Sequence, residues 1–364
     1  MKYFIGFLIG LLLLSVGFWL GLSSKEGLFD DKITNVFTNV IKEESLDLDQ
    51  YSIENLTSTE IKSGKIEILE KTQDKEKFST YLFRFNFNPD PIETYEKSST
   101  GVINIPKDNN KPDIILMIRG YVDQNYFVSG MGTRRSSEYF AQNGYITIAP
   151  DYLGYGGSSE ESKNIFETRF QTYTTTLSLL KSLEKIKSNS RIISCHSELD
   201  SESCDNIKEL SSAKDVFLWA HSNGGQIALT ALAITGKVYP TVLWAPVTKP
   251  FPYSVLYYTD QSDDGGKLIR KELSRLEEYN DVSKFSFTDY LDRISAPIQI
   301  YQGTNDDAVP VEWSQTFFSN LKNSYEEREI EQSLDLIIKN RADHNLVPGW
   351  EETVEQSLKF FQKY

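Results

Sequence analysis

Cysteine and histidine are the scarce residues of this 364-residue chain, with two cysteines, Cys195 and Cys204, and three histidines. So few potential ligands, none clustered at metal-binding spacing, give a structural metal site no support. A disulfide between the two cysteines would close a short loop, and their spacing alone does not fix whether they pair. Positive charge is also in short supply. The 38 Lys and Arg stand against 52 Asp and Glu, a formal net charge of -14, which is the wrong sign for gripping a nucleic-acid backbone through counterion release. Solenoid-type repeats are missing. With 39% hydrophobic and 13% aromatic residues, global disorder is excluded, and the length suits one large domain or two modest ones.

Long apolar runs are missing too, with one exception. Residues 3–22, YFIGFLIGLLLLSVGFWLGL, carry no charge and as a helix would span roughly 30 Å, the thickness of a bilayer core. That length favours an uncleaved signal-anchor. The rival is a cleaved signal peptide, but such peptides have shorter apolar cores, and LSSKEG is a poor cleavage site. Lys2 precedes the run, and the residues behind it mix Lys25 with Glu26, Asp30 and Asp31, a slight positive-inside bias that puts the N-terminus in the cytoplasm and the bulk of the chain outside. The expected plan is a membrane anchor over 1–24, a linker and extension over 25–60, and one domain over 61–364.

What is present in that domain is a change of pattern. Residues 64–71, 79–89 and 100–106 alternate apolar and polar side chains, as half-buried antiparallel strands do. After Pro112 come short runs apolar on both faces, at 113–118, 145–150, 215–220, 241–246, 297–302 and 334–338. Such runs suit strands buried between helix layers. Between them Phe166, Phe170, Tyr173, Leu177 and Leu180 recur at helical spacing, as do Trp350, Val354, Leu358 and Phe361. Strands alternating with helices predict a mostly parallel, doubly wound α/β sheet with antiparallel strands ahead of it. Two segments break the alternation: 188–212, polar and Ser-rich, reads as a surface insertion, and 250–294, aromatic and then charged, as a helical cap or lid.

One stretch carries chemistry. In Ala220-His221-Ser222-Asn223-Gly224-Gly225 a serine lies between a buried strand and a helix pattern that ends at Gly236. This is the order of a nucleophile elbow, G-x-S-x-G, whose small neighbours let a sharp turn project the serine oxygen; here alanine takes the first glycine's place. The alternative is a serine that merely caps a helix. A serine hydroxyl becomes nucleophilic when a histidine takes its proton and a carboxylate orients that histidine. GTNDDAVP supplies Asp306, with Asp307 as its rival, and NRADHNLVP supplies His344, each after a buried strand. The order Ser222, Asp306, His344 is the one expected of an α/β-hydrolase. His221 reads as packing, Asp151 as a loop-fixing acceptor of backbone N–H bonds, and the Tyr253, Tyr257 and Tyr258 cluster as either a pocket lining or packing.

From roughly residue 60 onward the chain resembles the α/β-hydrolase catalytic domain of the prolyl-oligopeptidase, S9-like type. The likeness is carried by IRGYVDQ (118–124), GYITIAPDYLGYGGSS (144–159), HSNGG (221–225), GTNDDAVP (303–310) and DH (343–344). It implies a serine hydrolase that cleaves small peptides, or alternatively acyl esters, through an acyl-enzyme, with no cofactor. It also maps the oxyanion donors to the backbone N–H groups of Tyr121 and Asn223. Where the family has HG before the second donor this chain has Arg119-Gly120, so Arg119 either meets a substrate carboxylate or pairs with an acidic neighbour. Tyr253 and Tyr257 are the other substrate-binding candidates. A contrasting reading is a non-catalytic scaffold that keeps the fold.

Overall fold

In the computed structural model the described residues are 47–364, apart from 108–111, 187–191, 198, 200–203, 205–212, 214, 260–261 and 263. The proposed anchor at 3–22 lies outside them. Among the described residues no helix is long and apolar enough to cross a membrane.

Ten strands form one sheet in the order β10-β9-β8-β7-β4-β5-β3-β2-β1-β6. β1 (Lys65–Asp74), β2 (Phe78–Phe87) and β3 (Lys97–Pro106) pair antiparallel, and β3 joins β5 (Ile146–Pro150) antiparallel. From there β5, β4 (Ile114–Ile118), β7 (Val216–His221), β8 (Thr241–Trp244), β9 (Ile298–Gly303) and β10 (Leu334–Lys339) run parallel. The expected sheet is present, with two corrections: part of the stretch read as linker and extension joins the domain, with Leu48, Tyr51, Ile53 and Leu56 in the core, and within the segment read as a surface insertion, Ile193–Cys195 forms β6 and pairs parallel with β1 at the sheet edge. Three residues suffice for the edge strand, since it is held by its backbone and needs no apolar alternation.

Period two explains why the central runs are apolar throughout. On β4 and β7, Ile114, Leu116, Ile118, Leu218 and Ala220 face one core, while Ile115, Met117, Phe217 and Trp219 face the other. The first core lies under α1 (Ile53–Ser58), α3 (Ile165–Ile186), α4 (Asn223–Thr235), α6 (Lys267–Tyr279) and α7 (Val311–Glu327); the second lies under α2 (Arg134–Gln142) and α8 (Trp350–Phe361). α3 starts where Asn164 Oδ1 accepts the N–H groups of Phe166 (2.9 Å) and Glu167 (3.2 Å), a side-chain cap on orphan donors. Its expected apolar stripe, Phe166 to Leu180, is buried.

The 250–294 segment holds α5 (Tyr253–Leu256), α6 and a run of 3-10 turns. Much of it belongs to the core. Phe251, Leu273, Leu276, Phe285 and Phe287 are buried, and the Phe285 ring stacks on Phe170 of α3 at 4.4 Å.

Candidate active site

β7 ends at His221 and α4 begins at Asn223, so the reversal rests on Ser222 alone. Its backbone sits at φ 56°, ψ -125°, a region that costs a non-glycine residue on the order of 1–3 kcal/mol and persists only where surroundings impose it. Three hydrogen bonds impose it. The Ser222 N–H donates to the Trp244 carbonyl, and the Ser222 carbonyl accepts from the N–H groups of Gly225 and Val247, each at 2.9 Å. The side chain makes no capping bond to the helix, which removes the helix-cap reading. Space is the other constraint. A Cβ on Gly224 would lie 2.2 Å from the Ile118 carbonyl oxygen, and one on Gly120 2.7 Å from Ser222 Cβ. Ala220, in the place of the motif's first glycine, is fully buried in β7.

Asp306 and His344 stand in the loops after β9 and β10. His344 Nδ1 lies 3.0 Å from both Asp306 carboxylate oxygens. With the Nδ1 proton committed there, Nε2 is left as the basic nitrogen. The Asp306 side chain has no solvent exposure and also accepts the Ala308 and Val309 N–H groups (2.9 and 2.8 Å) and the Gln302 amide (2.8 Å). Burial pushes its pKa up, but the bonds from His344, Val309 and Gln302 outweigh that and leave it below the usual carboxylate value. Asp307 is exposed and takes no part. Among the described residues, Ser222 Oγ and His344 Nε2 make no hydrogen bond to each other; such bonds commonly tighten only when substrate is bound.

His221, read from sequence as packing, does more. Its ring lies 4.8 Å from that of His344, centroid to centroid, and its Nε2–H donates to the His344 carbonyl at 2.9 Å. Burial, then the neighbouring His344, push its pKa down to about 4, so it is a neutral donor at pH 7. Asp151 accepts the Thr100 hydroxyl (2.7 Å), the Ser129 hydroxyl (2.6 Å) and the Gly130 N–H (3.2 Å), a loop-fixing role.

The backbone N–H groups of Tyr121 and Asn223 have no partner among the described residues, and both residues line a cleft of about 510 Å³ beside the elbow. The other ligand-contact candidates fare differently. Arg119 lines the cleft but is 6% exposed; its guanidinium donates to the carbonyls of Gly120 (2.9 Å) and Asp151 (2.6 Å) and lies 3.9 Å from the Tyr155 ring centroid. It therefore pairs with carbonyls and an aromatic face instead of with a carboxylate. Tyr253 and Tyr257 are 61% and 46% exposed, and no described residue of 250–294 lines the cleft. Tyr257 packs edge-on against Trp313 at 4.8 Å, and the Tyr258 hydroxyl donates to the Ala308 carbonyl at 3.0 Å. This aromatic cluster braces the acid loop. The residue that sequence reasoning passed over is Arg169, on the cleft wall. It is the lone basic residue between Lys163 and Lys181, which sets it apart on its helix without showing what it faces. Among the described residues no group of three or more His, Cys, Asp or Glu is placed to hold a metal ion.

Residues 206–364, which include Ser222, Asp306 and His344, match the prolyl oligopeptidase family. The chain is a serine hydrolase of the α/β-hydrolase fold, and over that C-terminal region it is similar to the prolyl oligopeptidase family. In fold this hydrolase is similar to acetyl xylan esterase 1 from Thermoanaerobacterium sp. JW/SL YS485, at a TM-score of 0.55 and 16% identity over 86% of this chain and 94% of that one. It is also similar to an acetyl xylan esterase from Paenibacillus sp. R4, at a TM-score of 0.54 and 14% identity over 88% of this chain and 95% of that one. No curated protein sequence matches the hydrolase.

Proposed function

We propose that the hydrolase cleaves ester or amide bonds of small substrates through an acyl-enzyme on Ser222. His344 Nε2 takes the serine proton as Oγ attacks the carbonyl, and the imidazolium so formed is stabilised by Asp306. The oxyanion is received by the N–H groups of Asn223 and Tyr121, and His344 returns its proton to the departing alkoxide or amine. Water, deprotonated by the same histidine, then releases the acid. The observation that carries this reading is the His344–Asp306 pair at 3.0 Å in loops beside an elbow whose serine is held at φ 56°.

The same machinery serves an ester and an amide, because one base protonates either leaving group. The family match favours peptides and the two fold neighbours are esterases by name. A panel of chromogenic esters and aminoacyl amides separates the two. Covalent labelling by a fluorophosphonate probe, with Ser222→Ala as the control, tests the nucleophile, and a folded wild type that stays unlabelled would leave the scaffold reading standing. We further propose that residues 3–22 tether the enzyme to a membrane with its catalytic domain outside the cytoplasm; full protection of that domain from protease on intact cells would contradict the orientation.

A further inference from the structure

Among the described residues Arg169 is a cation without a counter-ion. It projects from the first turns of α3 into the cleft, half-buried, and its Nη2 donates to two neutral oxygens, Gln226 Oε1 (2.6 Å) and Asn223 Oδ1 (3.2 Å). Its Nε is buried with no hydrogen-bond partner, and among the described residues no carboxylate lies within ion-pairing distance of it. A guanidinium facing a cleft is suited to pairing with a carboxylate or phosphate, whose geometry its planar fork of donors matches. Arg119 in the same cleft also has a buried Nε without a partner, but its terminal nitrogens are committed to carbonyls. The fully buried Gln171, also in the cleft wall, has an unpartnered Oε1. The carboxylates that line the cleft belong to its rim: Glu161 is exposed and accepts from Gln124 (3.2 Å), and Asp123 accepts the Asn125 N–H (2.9 Å). The inner wall therefore carries two guanidinium groups, each with a buried unpartnered Nε donor, against one spare neutral acceptor, Gln171 Oε1.

The position of the cleft assigns the part of the substrate that enters it. A leaving group has to lie against His344 to receive its proton. The cleft is lined by Gly120, Tyr121 and Asn223, around the proposed oxyanion donors, and by neither His344, Asn345 nor Asp306. It takes the group on the other side of the reacting carbonyl. Resting on the acyl-enzyme reading above, we infer that Arg169 is a specificity residue selecting substrates whose acyl portion ends in an anionic group, a carboxylate being the simplest.

The test uses the full chain in a pH-stat with methyl half-esters of succinate, glutarate and adipate, each paired with the neutral methyl ester of matched length. For at least one length, kcat/KM for the half-ester should exceed that of its neutral partner on the order of tenfold, the scale of one charge-assisted bidentate contact. Arg169→Lys should keep a preference of the same sign, and Arg169→Glu should bring the ratio below one. A purely structural role would lower both substrates together and leave the ratio where it was. The proposal is overturned if no half-ester is preferred by wild type, or if the preference survives Arg169→Glu. Fluorophosphonate labelling run alongside separates the failures: a labelled Ser222 with no charge preference sinks the anion site alone, and an unlabelled one sinks the acyl-enzyme reading with it.

Discussion

The sheet has two halves built from similar residues, and only one of them carries candidate chemistry. In the parallel half, the loops after β4, β7, β9 and β10 hold Tyr121, Ser222, Asp306 and His344. In the antiparallel half, β1 to β3 contribute Ile66, Ile68, Tyr81, Phe83 and Phe85 to the core under α3 and none of these groups. The difference is direction. Parallel strands joined by crossover helices send every C-terminal end to one edge, so loops distant in sequence converge there. Antiparallel strands send alternate ends to opposite edges, and their loops diverge. A half-sheet of the second kind extends the core and buries area; it does not gather four loops at one place.

The comparison breaks if the parallel-edge residues turn out to be dispensable. Ser222→Ala should lower kcat by a factor on the order of 10⁶, as losses of a nucleophile within a cooperating set do, with the far-ultraviolet circular dichroism unchanged. Retention of turnover after that substitution would place the reaction elsewhere. Asp306→Asn should cost about 10⁴ in kcat, because the amide presents Nδ1 with the wrong partner and releases the productive tautomer. An effect below tenfold would mean that Asp307 or another acid orients the base. In the other half, Phe83→Ala removes a fully buried ring and should destabilise by about 3–5 kcal/mol, read by urea unfolding, while kcat per folded molecule stays as it was. A fall in kcat at temperatures where the variant is fully folded would show the halves to be coupled, and the division drawn above would fail.

Much of this was legible in the sequence, and the part that was not has a physical reason. Runs apolar on both faces announced the parallel strands because two helix layers cover them, and the elbow was legible because its constraint is local: a small residue at Ala220 and glycines at 224 and 225 within one turn. The acid loop was legible, with Asp307 left as the rival of Asp306, since two adjacent carboxylates differ only in where the backbone aims them. Arg169 could not be placed, since what gives it meaning is an approach to Asn223 and Gln226 across 54 and 57 residues of chain. The same holds for Arg119, whose partners are carbonyls; backbone acceptors are present at every position and leave no trace in residue identity. β6 went unread because an edge strand three residues long is recruited by a neighbour's free backbone groups. Whether Tyr253 and Tyr257 line a pocket or pack stayed open in the sequence, because aromatic clusters pack and bind with the same composition.

The smallest predicted effect sharpens the comparison inside the site itself, where His221 belongs to the β7 elbow but is bonded to the loop after β10. In the folded state its pKa is depressed from 6.5 to about 4, so above pH 6.5 neither the folded nor the unfolded chain protonates it and its contribution is fully present. As the pH falls from 6.5 towards 4, the unfolded chain takes up a proton that the native state refuses, and stability declines through that window. The decline should be on the order of 1–3 kcal/mol, measured as the urea midpoint at pH 7, 6, 5 and 4. His221→Gln retains an amide donor for the His344 carbonyl and cannot titrate, so its stability should change less over the same range. Acid loss from Asp306, whose folded pKa lies below the ordinary carboxylate value, belongs at still lower pH and should be common to both proteins. Parallel curves for wild type and variant between pH 6.5 and 4 would show that the imidazole at 221 is not held neutral, and that the β7 elbow and the His344 loop are bonded less tightly than their geometry indicates.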